Sequence, residues 1–464
     1  MVAVQSTATC KNSIAFNLEK AYWLPNMYKI IKNSWALFTG FGIIIISHGF
    51  QGNLLGIRSV LENFNYIATG TMLSGYFVGY FIGANMVPNL VSKVGHIRVF
   101  AAFASMASLS SLIHVVFVDP VVWTLARFLT GFSMIGIFII VESWLNDRAT
   151  NRTRGKVLSF YMFITFFGFA VGNLLLNISS PKDYEPFILI SLLFSIALIP
   201  ILLTKRKPPK FKKTSFINVK ELFKISPMGS FSMFCSGFIF SAIFAMLSVY
   251  AVTMNLSIFE VSILLVGVTL SGAFFQWPIG FLSDSYDRRI IIVGCCIAAC
   301  IFAFMSIAVS GVSFKNLFIE TAVRFNYFST VADKTKLFVF VILLSGMTLP
   351  LFSLNLALVN DYIPKEKFVA AGGGLNVIFG LGAMAGPFIC SVLMNLYGPN
   401  GFFIHLIIFL LPIIFFGIYR MNVRKYKDNP ESTFTPLPRD ITPLGIELDP
   451  DTGVDLSNTA NDKK

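Results

Sequence analysis

Long uncharged apolar runs, separated by short polar connections, occupy the chain from about residue 33 to residue 420. A helix needs about 20 apolar residues to cross roughly 30 Å of hydrocarbon, where only an internally hydrogen-bonded backbone is stable. Each run is therefore predicted to be a transmembrane helix, and the last to be two, because the turn-forming residues 398–401 (Gly-Pro-Asn-Gly) divide it. The runs cover residues 33–57, 63–92, 99–118, 157–181, 186–204, 225–259, 261–283, 290–314, 337–360 and 368–419.

One further span is interrupted by charge. Residues 121–145 are apolar except for polar positions that include Arg127 and Glu142, and we count this stretch as a twelfth helix. The predicted fold class is an all-α integral membrane protein with twelve transmembrane helices.

Composition excludes a water-soluble enzyme. Only 59 of the 464 residues are charged (36 Lys and Arg, 23 Asp and Glu), which is 13% where soluble domains have about 25%. Cys295, Cys296 and Cys300 lack the paired spacing and histidine partners of a zinc site, so neither a disulfide framework nor a metal site is expected. No phosphate-binding loop motif occurs, which disfavours ATP-driven transport, and no cofactor is expected.

The distribution of Lys and Arg predicts the orientation. Seven segments on one side of the predicted membrane carry 29 of these 36 residues and the other side carries six, so both termini are expected to be cytoplasmic in a multi-pass protein of the cell inner (plasma) membrane. The basic loops would face anionic lipid, and no nucleic-acid partner is needed. Residues 1–33 lack a signal-peptide pattern, and residues 421–464 are polar enough to predict a disordered cytoplasmic tail.

The chain shows an internal repeat. The basic segment 205–228 is predicted to link an N-terminal six-helix bundle, 34–204, to a C-terminal one, 229–420. The polar loop after span 2, residues 90–98, recurs after span 8, and the Asn146-Asp147 pair that ends span 4 recurs as Asn360-Asp361 at the end of span 10. Two parallel, pseudo-symmetric halves are the simplest explanation.

These motifs resemble the major facilitator superfamily. Gly280 to Asp284, followed by Arg288 and Arg289, is similar to its G-x-L-x-D-R-x-G-R loop, although Asp287 stands where glycine is usual. The motifs that narrow the resemblance to the YcaD-like branch are Ala126-Arg127-Phe128, Val141-Glu142-Ser143, Arg154-Gly155-Lys156, Gln276-Trp277-Pro278-Ile279-Gly280 and Ala385-Gly386-Pro387-Phe388. The resemblance implies a monomeric secondary transporter of a small solute that works by alternating access, with span 2 facing span 11 and span 5 facing span 8.

Glycines repeat at spacings of four in three spans, which lets helix backbones approach closely. They are expected either to form the surfaces between the halves or to serve ordinary packing within one half. They are Gly75, Gly79 and Gly83 in span 2, Gly168 and Gly172 in span 5, and Gly382 and Gly386 in span 11.

Polar residues inside apolar spans are candidates for solute binding or proton coupling. Arg127 is the strongest candidate, because a buried cation in hydrocarbon needs a partner. His48 could carry protons near neutral pH. Structural hydrogen bonding within the bundle is the open alternative for each. The candidates are His48, Gln51, Arg127, Asn173, Asn177, Gln276 and Trp277.

A second group is predicted to form a cytoplasmic gate. The resemblance implies that Asp284 faces the positive N-terminal end of span 5, where with Arg288 and Arg289 it would latch the outward-open state. It also implies that Glu142 meets Lys93 or Arg98. The alternative is that the cations only set topology. The gate candidates are Lys93, Gly95, Arg98, Glu142, Asp284, Arg288 and Arg289.

Three other functions are alternatives to proton-coupled transport. A proton-independent facilitator of the same fold stays open. A membrane enzyme would need its chemistry in the connection 312–336, where Glu320 and Asp333 have no His or Cys beside them. A nutrient sensor would need a folded soluble extension. The sequence leaves the solute and the direction of transport undetermined.

Overall fold

The structure, a computed structural model, describes residues 34–203, 216–310, 331–426, 432–438 and 440–452. In these ranges twelve helices are long and apolar enough to cross a membrane, which confirms the predicted number. They are α1 (Ser34–Leu61), α2 (Tyr66–Val94), α3 (His96–Val116), α4 (Pro120–Arg148), α5 (Arg154–Asn177), α6 (Glu185–Leu202), α7 (Pro227–Thr253), α8 (Ile258–Ser285), α9 (Arg288–Val309), α10 (Ala332–Asn360), α11 (Lys365–Tyr397) and α12 (Gly401–Val423). The predicted N-terminal segment and most of the connection 312–336 lie outside the described residues.

The helices form two six-helix bundles of matching design, as predicted. In the first, α4 packs on α2 and α3, and α3 packs on α6; in the second, α10 packs on α8 and α9, and α9 packs on α12. The same pairs therefore recur six helices later. Of the membrane helices, α1, α4 and α7 are the most buried.

Local signals set where the helices begin. Asp119 accepts hydrogen bonds from the amides of Val121 and Val122 at 2.8 and 3.0 Å, and Pro120 occupies the first turn of α4. Ser257 and Glu260 form a reciprocal capping box on α8. These contacts satisfy N-terminal amides that have no partner inside the helix.

The glycine repeats pack inside the halves, so the second of the two interpretations is correct. A Cβ atom at Gly79 would lie 2.0 Å from the Phe128 carbonyl oxygen of α4, and one at Gly172 would lie 2.4 Å from the Ile46 carbonyl oxygen of α1. Gly382 and Gly386 of α11 are equally close to α7. The repeats hold each bundle together rather than joining the two.

The two halves meet along α2 with α11 and along α5 with α8, which agrees with what the resemblance implied. We call the end that carries the loops 92–98, 146–156, 284–289 and 361–368 the basic end, and the opposite end the far end. At the far end the halves touch closely: a Cβ at Gly70 would lie 2.6 Å from the Pro387 carbonyl oxygen, and Asn177 donates to Ser262 across the interface at 2.7 Å.

At the basic end a segment of the chain lies between the halves. Residues 432–438 and 440–452, which we call the inserted loop, have buried side chains at Phe434, Leu437, Ile441 and Leu448. The prediction of a disordered tail is wrong for these residues. Their acidic and proline-rich composition concealed a series of apolar positions that the crevice buries.

The basic linker is partly described. Its described part, residues 216–228, contains a short helix, Val219–Ile225, which Asn218 caps, and α7 begins at Pro227. The Ile217 amide donates to the Ala370 carbonyl oxygen of α11 at 3.0 Å. The linker is therefore fixed to the second bundle at its end.

Replacement of Gly79 by alanine should destabilise the protein by about 1–3 kcal/mol, because the added methyl group meets the α4 backbone. Gly294 in α9 is the matched control, since a Cβ there meets nothing within 4 Å. Gly294→Ala should leave stability unchanged or raise it by up to about 1 kcal/mol through helix propensity. Thermal unfolding in detergent measures both, and equal melting temperatures for the two variants would contradict the packing described here.

Candidate functional site

A cavity between the first bundle and α7 of the second is lined by Arg127. We call this cavity of about 40 Å³ the Arg127 chamber. Helices α1, α2, α4 and α5 supply most of its wall, α7 of the second half closes it, and the inserted loop contributes Asp440. Its lining is His48, Gly49, Gly52, Asn53, Tyr76, Phe77, Arg127, Phe169, Asn173, Phe240, Phe244, Ala245 and Asp440.

Arg127 is 4% exposed, and its guanidinium carbon lies 4.8 Å from the centre of the Tyr76 ring. This cation–π contact contributes roughly 0.5–2 kcal/mol. Neither Nε nor Nη1 of Arg127 has a hydrogen-bond partner among the described residues. A buried guanidinium with free N–H groups is costly, so the chamber presents unused donors to a ligand with acceptor oxygens.

His48 shares the Tyr76 ring with Arg127. The imidazole stacks on Tyr76 with 5.0 Å between ring centres, and the edge of Phe169 lies 5.6 Å away. An ionisable ring and a fixed cation thus contact the same aromatic side chain.

Amide side chains connect the chamber to the other half. Asn53 donates to the Asn173 side-chain oxygen at 2.7 Å, and the Asn173 nitrogen donates to Thr269 of α8 at 3.4 Å. Thr269 also lines a neighbouring pocket of about 30 Å³ that contains Gln276 and Leu437. The predicted candidates His48, Arg127 and Asn173 therefore line one pocket and Gln276 lines the neighbouring one, and both pockets have walls from both bundles.

A larger cavity of about 220 Å³ opens toward the basic end, and we call it the entrance cavity. It shares Tyr76, Phe77 and Phe240 with the Arg127 chamber. Its walls include Tyr80 and Asn85 of α2, Asn376 and Phe379 of α11, and residues 440–444 of the inserted loop.

Glu142 is fully buried near the basic end of α4, and its partners are not the predicted cations. Tyr161 donates to it at 2.8 Å, and the amide and hydroxyl of Thr442 in the inserted loop donate as well, the amide at 3.0 Å. Lys93 and Arg98 are exposed instead. The expected pairing of Glu142 with Lys93 or Arg98 is wrong, because those side chains point to the outside of the bundle.

The repeated loop motif forms an ion-pair cluster. Arg288, 3% exposed, pairs with Asp284 at 3.1 Å and with the buried Asp361 at 3.2 Å. Asp284 also accepts the Phe434 amide of the inserted loop at 2.8 Å. Among the described residues, Asp284 forms hydrogen bonds with Arg288 and Phe434 and none with α5. This structure therefore does not contain the predicted latch between Asp284 and the N-terminal end of α5.

Two other gate candidates serve the loops themselves. Arg289 pairs with Asp287, which caps α9, at 2.7 Å. Gly95 has φ of 94° between α2 and α3, a left-handed conformation that favours glycine.

Burial shifts the pKa of Asp449 in the inserted loop. Removal from water raises the pKa of Asp449 from 3.8 to about 6, and the nearby charge of Asp451 adds to the shift, whereas hydrogen bonds from the Asp451 amide and Thr435 oppose it. Because the docked loop holds this proton more tightly than a solvated loop, docking is favoured as pH falls from about 6 toward 3.8.

Comparison with known proteins adds the family. The sequence model of the Major Facilitator Superfamily matches residues 37–323, more than half of the chain. The chain belongs to the major facilitator superfamily.

Relatives in this superfamily are similar along most of their length. An uncharacterized MFS-type transporter of Yersinia pestis is 25% identical over 72% of this chain and 82% of its own. The uncharacterized MFS-type transporter YcaD of Escherichia fergusonii is 21% identical over 79% of this chain and 90% of its own. The resemblance to the YcaD-like branch is thereby confirmed.

Solved structures of transporters show the same major facilitator fold. The nucleoside transporter NupG superposes with a TM-score of 0.66 at 15% identity, covering 85% of this chain and 99% of NupG. A bacterial homolog of the human lysosomal transporter Spinster, in an inward-facing and occupied conformation, gives 0.66 at 12% identity and covers 86% and 99%. This chain is a multi-pass membrane transporter of the superfamily.

Three predicted solute candidates lie elsewhere in the major facilitator fold. Trp277 is 78% exposed on the outer surface, because adjacent helical residues point about 100° apart and Gln276 takes the inward position. Gln51 donates to Ser111 inside the first bundle at 3.1 Å. Asn177 joins the two halves at the far end through Ser262.

Sequence reasoning missed several residues of the site. Asn53 was detectable as an amide in the same apolar run as His48, and Asp361 as the repeat partner of Asp147. Tyr76 gave no distinguishing signal in a span rich in aromatic residues, and Tyr161 belonged to a motif of the resemblance without a role assigned to it. Thr442 could not be found, since its role depends on a contact 300 residues away.

Proposed function

We propose that this chain is a secondary transporter that carries a small organic anion with an apolar body through the crevice between its halves by alternating access. The observation that carries the proposal is Arg127, a buried cation on the chamber wall with two N–H-bearing nitrogens that have no partner among the described residues. Hydrogen bonds between a guanidinium and an anion are the strong, directional kind that fix a ligand.

The apolar part of the solute is inferred from the walls. Aromatic rings surround the polar groups of the Arg127 chamber, and a solute with an aromatic or aliphatic body would gain burial there without leaving further charges unpaired. The rings are those of Tyr76, Phe77, Phe169, Phe240 and Phe244.

Benzenesulfonate and benzenesulfonamide form a matched pair of probes that differ in charge. Benzenesulfonate should raise the melting temperature of the purified protein and benzenesulfonamide should not. Arg127→Gln should weaken benzenesulfonate binding about tenfold to a hundredfold, because a hydrogen bond to a charged group is lost in a water-poor site. Arg98→Gln, which removes an exposed cation, should bind benzenesulfonate as tightly as the unchanged protein does. Equal shifts with both probes, or binding that survives Arg127→Gln, would contradict the proposal.

We further propose that transport is coupled to protons through His48. Arg127 and a protonated His48 both contact Tyr76, and two cations in a low-dielectric chamber repel each other unless an anion is bound. An anion and a proton would therefore enter the chamber together.

In proteoliposomes, an inward proton gradient should drive accumulation of benzenesulfonate, and a protonophore should abolish it. His48→Gln should lose accumulation while retaining exchange of labelled for unlabelled benzenesulfonate, since Gln keeps polarity but carries no proton. Accumulation that is indifferent to the protonophore would instead support the proton-independent facilitator.

We propose that the basic end faces the cytoplasm, because positive residues remain on that side during insertion. Lys93 lies at the basic end and Lys182 at the far end, and both are exposed. In a cysteine-free background, a membrane-impermeant maleimide added to intact cells should label Lys182→Cys and leave Lys93→Cys unlabelled until the cells are opened. Labelling of Lys93→Cys in intact cells would reverse the assignment.

A further inference from the structure

The inserted loop touches both halves of the transporter at the basic end. On the side of the first half, Tyr80 donates to the Asp440 carbonyl oxygen at 2.7 Å, and Glu142 accepts from Thr442. On the side of the second half, Asn376 donates to the Ile441 carbonyl oxygen at 2.8 Å. Three consecutive loop residues are thus held from opposite sides of the crevice.

We propose that the inserted loop is an autoinhibitory plug, which occupies the solute pathway and prevents the two halves from closing at the basic end. The inference goes beyond the proposed function and rests on it in one respect, namely that the halves rock about the crevice. It assigns a role to a segment that no motif of the superfamily covers.

The crevice recognises the loop mainly through its backbone. Polar side chains from α2, α4, α8, α9, α10 and α11 bond main-chain groups of the loop, so a backbone that enters an apolar crevice keeps its hydrogen bonds. The pairs are Tyr80 with Asp440, Glu142 with Thr442, Asn146 with Leu444, Asp284 with Phe434, Arg288 with Ser432, Ser353 with Leu437 and Asn376 with Ile441.

Apolar side chains anchor the loop where helix glycines leave room. A Cβ at Gly280 would lie 2.3 Å from the Phe434 ring, and one at Gly372 would lie 2.4 Å from Ile446. Phe434 and Ile446 are both buried. The fit is therefore specific on both sides of the contact.

The loop is closed on itself at its neck. Thr433 donates its amide to Asp451 at 2.8 Å, and the Thr435 hydroxyl donates to Asp449 at 2.8 Å. Entry and exit therefore lie side by side at the basic end. A folded loop of this kind can dock and leave as a unit without unthreading through the bundle.

The plug uses the gate side chains. Asp284, Arg288 and Glu142 are all bonded to the loop, so none of them is free to make contacts between the halves. Closure at the basic end would have to displace the loop from the space between α4 and α11. Docking and closure consequently exclude each other.

The plug also narrows access to Arg127. Residues 440–444 form part of the wall of the entrance cavity, and Asp440 reaches the Arg127 chamber itself. A solute that moves between the basic end and Arg127 passes the loop. Its removal should therefore widen the route.

The test uses the full chain with Leu444→Asp, which places a charge at a buried loop position, and Pro450→Asp as the control with the same charge at an exposed position of the same loop. Hydrogen exchange followed by mass spectrometry reports docking. Amides of Phe434, Leu437 and Thr442 should exchange slowly in the unchanged chain and in Pro450→Asp, and at least about tenfold faster in Leu444→Asp. Fast exchange in the unchanged chain would overturn the proposal.

Access to the chamber is measured separately, without any solute. Ala245→Cys, with the native cysteines replaced by alanine, places a thiol on the chamber wall. A small charged methanethiosulfonate should modify it at least about tenfold faster when Leu444→Asp is also present, and Pro450→Asp should leave the rate unchanged. Equal rates in the presence and absence of Leu444→Asp would refute the plug. Failure of benzenesulfonate to bind would count against the proposed solute class and leave this result intact.

Discussion

A backbone polar group inside hydrocarbon must find its partner within the protein, and this constraint accounts for most of what the structure contains. It makes every crossing helical, because a helix satisfies its own amides and carbonyls. It also bears on the inserted loop, whose backbone bonds to itself only in short turns such as Pro443–Ile446 and Pro450–Thr452 and needs other partners elsewhere. The crevice supplies Tyr80, Asn146, Glu142 and Asn376 as partners for main-chain groups of the loop.

The same constraint determines how far the sequence alone could predict the fold. Hydrocarbon acts on each segment separately, so the length and apolarity of the runs, together with the charge-interrupted stretch 121–145, were sufficient to identify twelve helices. The division into matching halves came from the basic linker and the repeated motifs. Whether a residue points inward or outward depends instead on the helices that pack around its own helix. Gln276 and Trp277 are adjacent and equally plausible in the sequence, yet one lines a pocket and the other faces outward. Adjacent residues point about 100° apart around a helix, and this rotation separates the site residue from the surface residue.

The sequence identified a charged site residue where burial of a charge in a membrane span is intrinsically costly. Arg127 was identifiable because a cation in a span needs a reason, and the structure places it in a cavity between helices of both halves. Small residues gave no comparable information. Close approach has the same signature whether the partner helix belongs to the same half or to the other, so the repeats at Gly79 and Gly172 could not distinguish packing on α4 and α1 from packing across the crevice.

The inserted loop shows why the remainder of the site lay beyond the sequence. Its composition is that of a solvated tail, and only the crevice makes its apolar residues useful. In the structure the loop supplies donors to both gate carboxylates, the Thr442 amide to Glu142 and the Phe434 amide to Asp284. Under the proposed plug, closure of the basic end would have to replace those donors with others, because a buried carboxylate left without partners is costly. The proposal therefore makes docking of the loop and closure of the basic end two alternative ways to satisfy the same carboxylates.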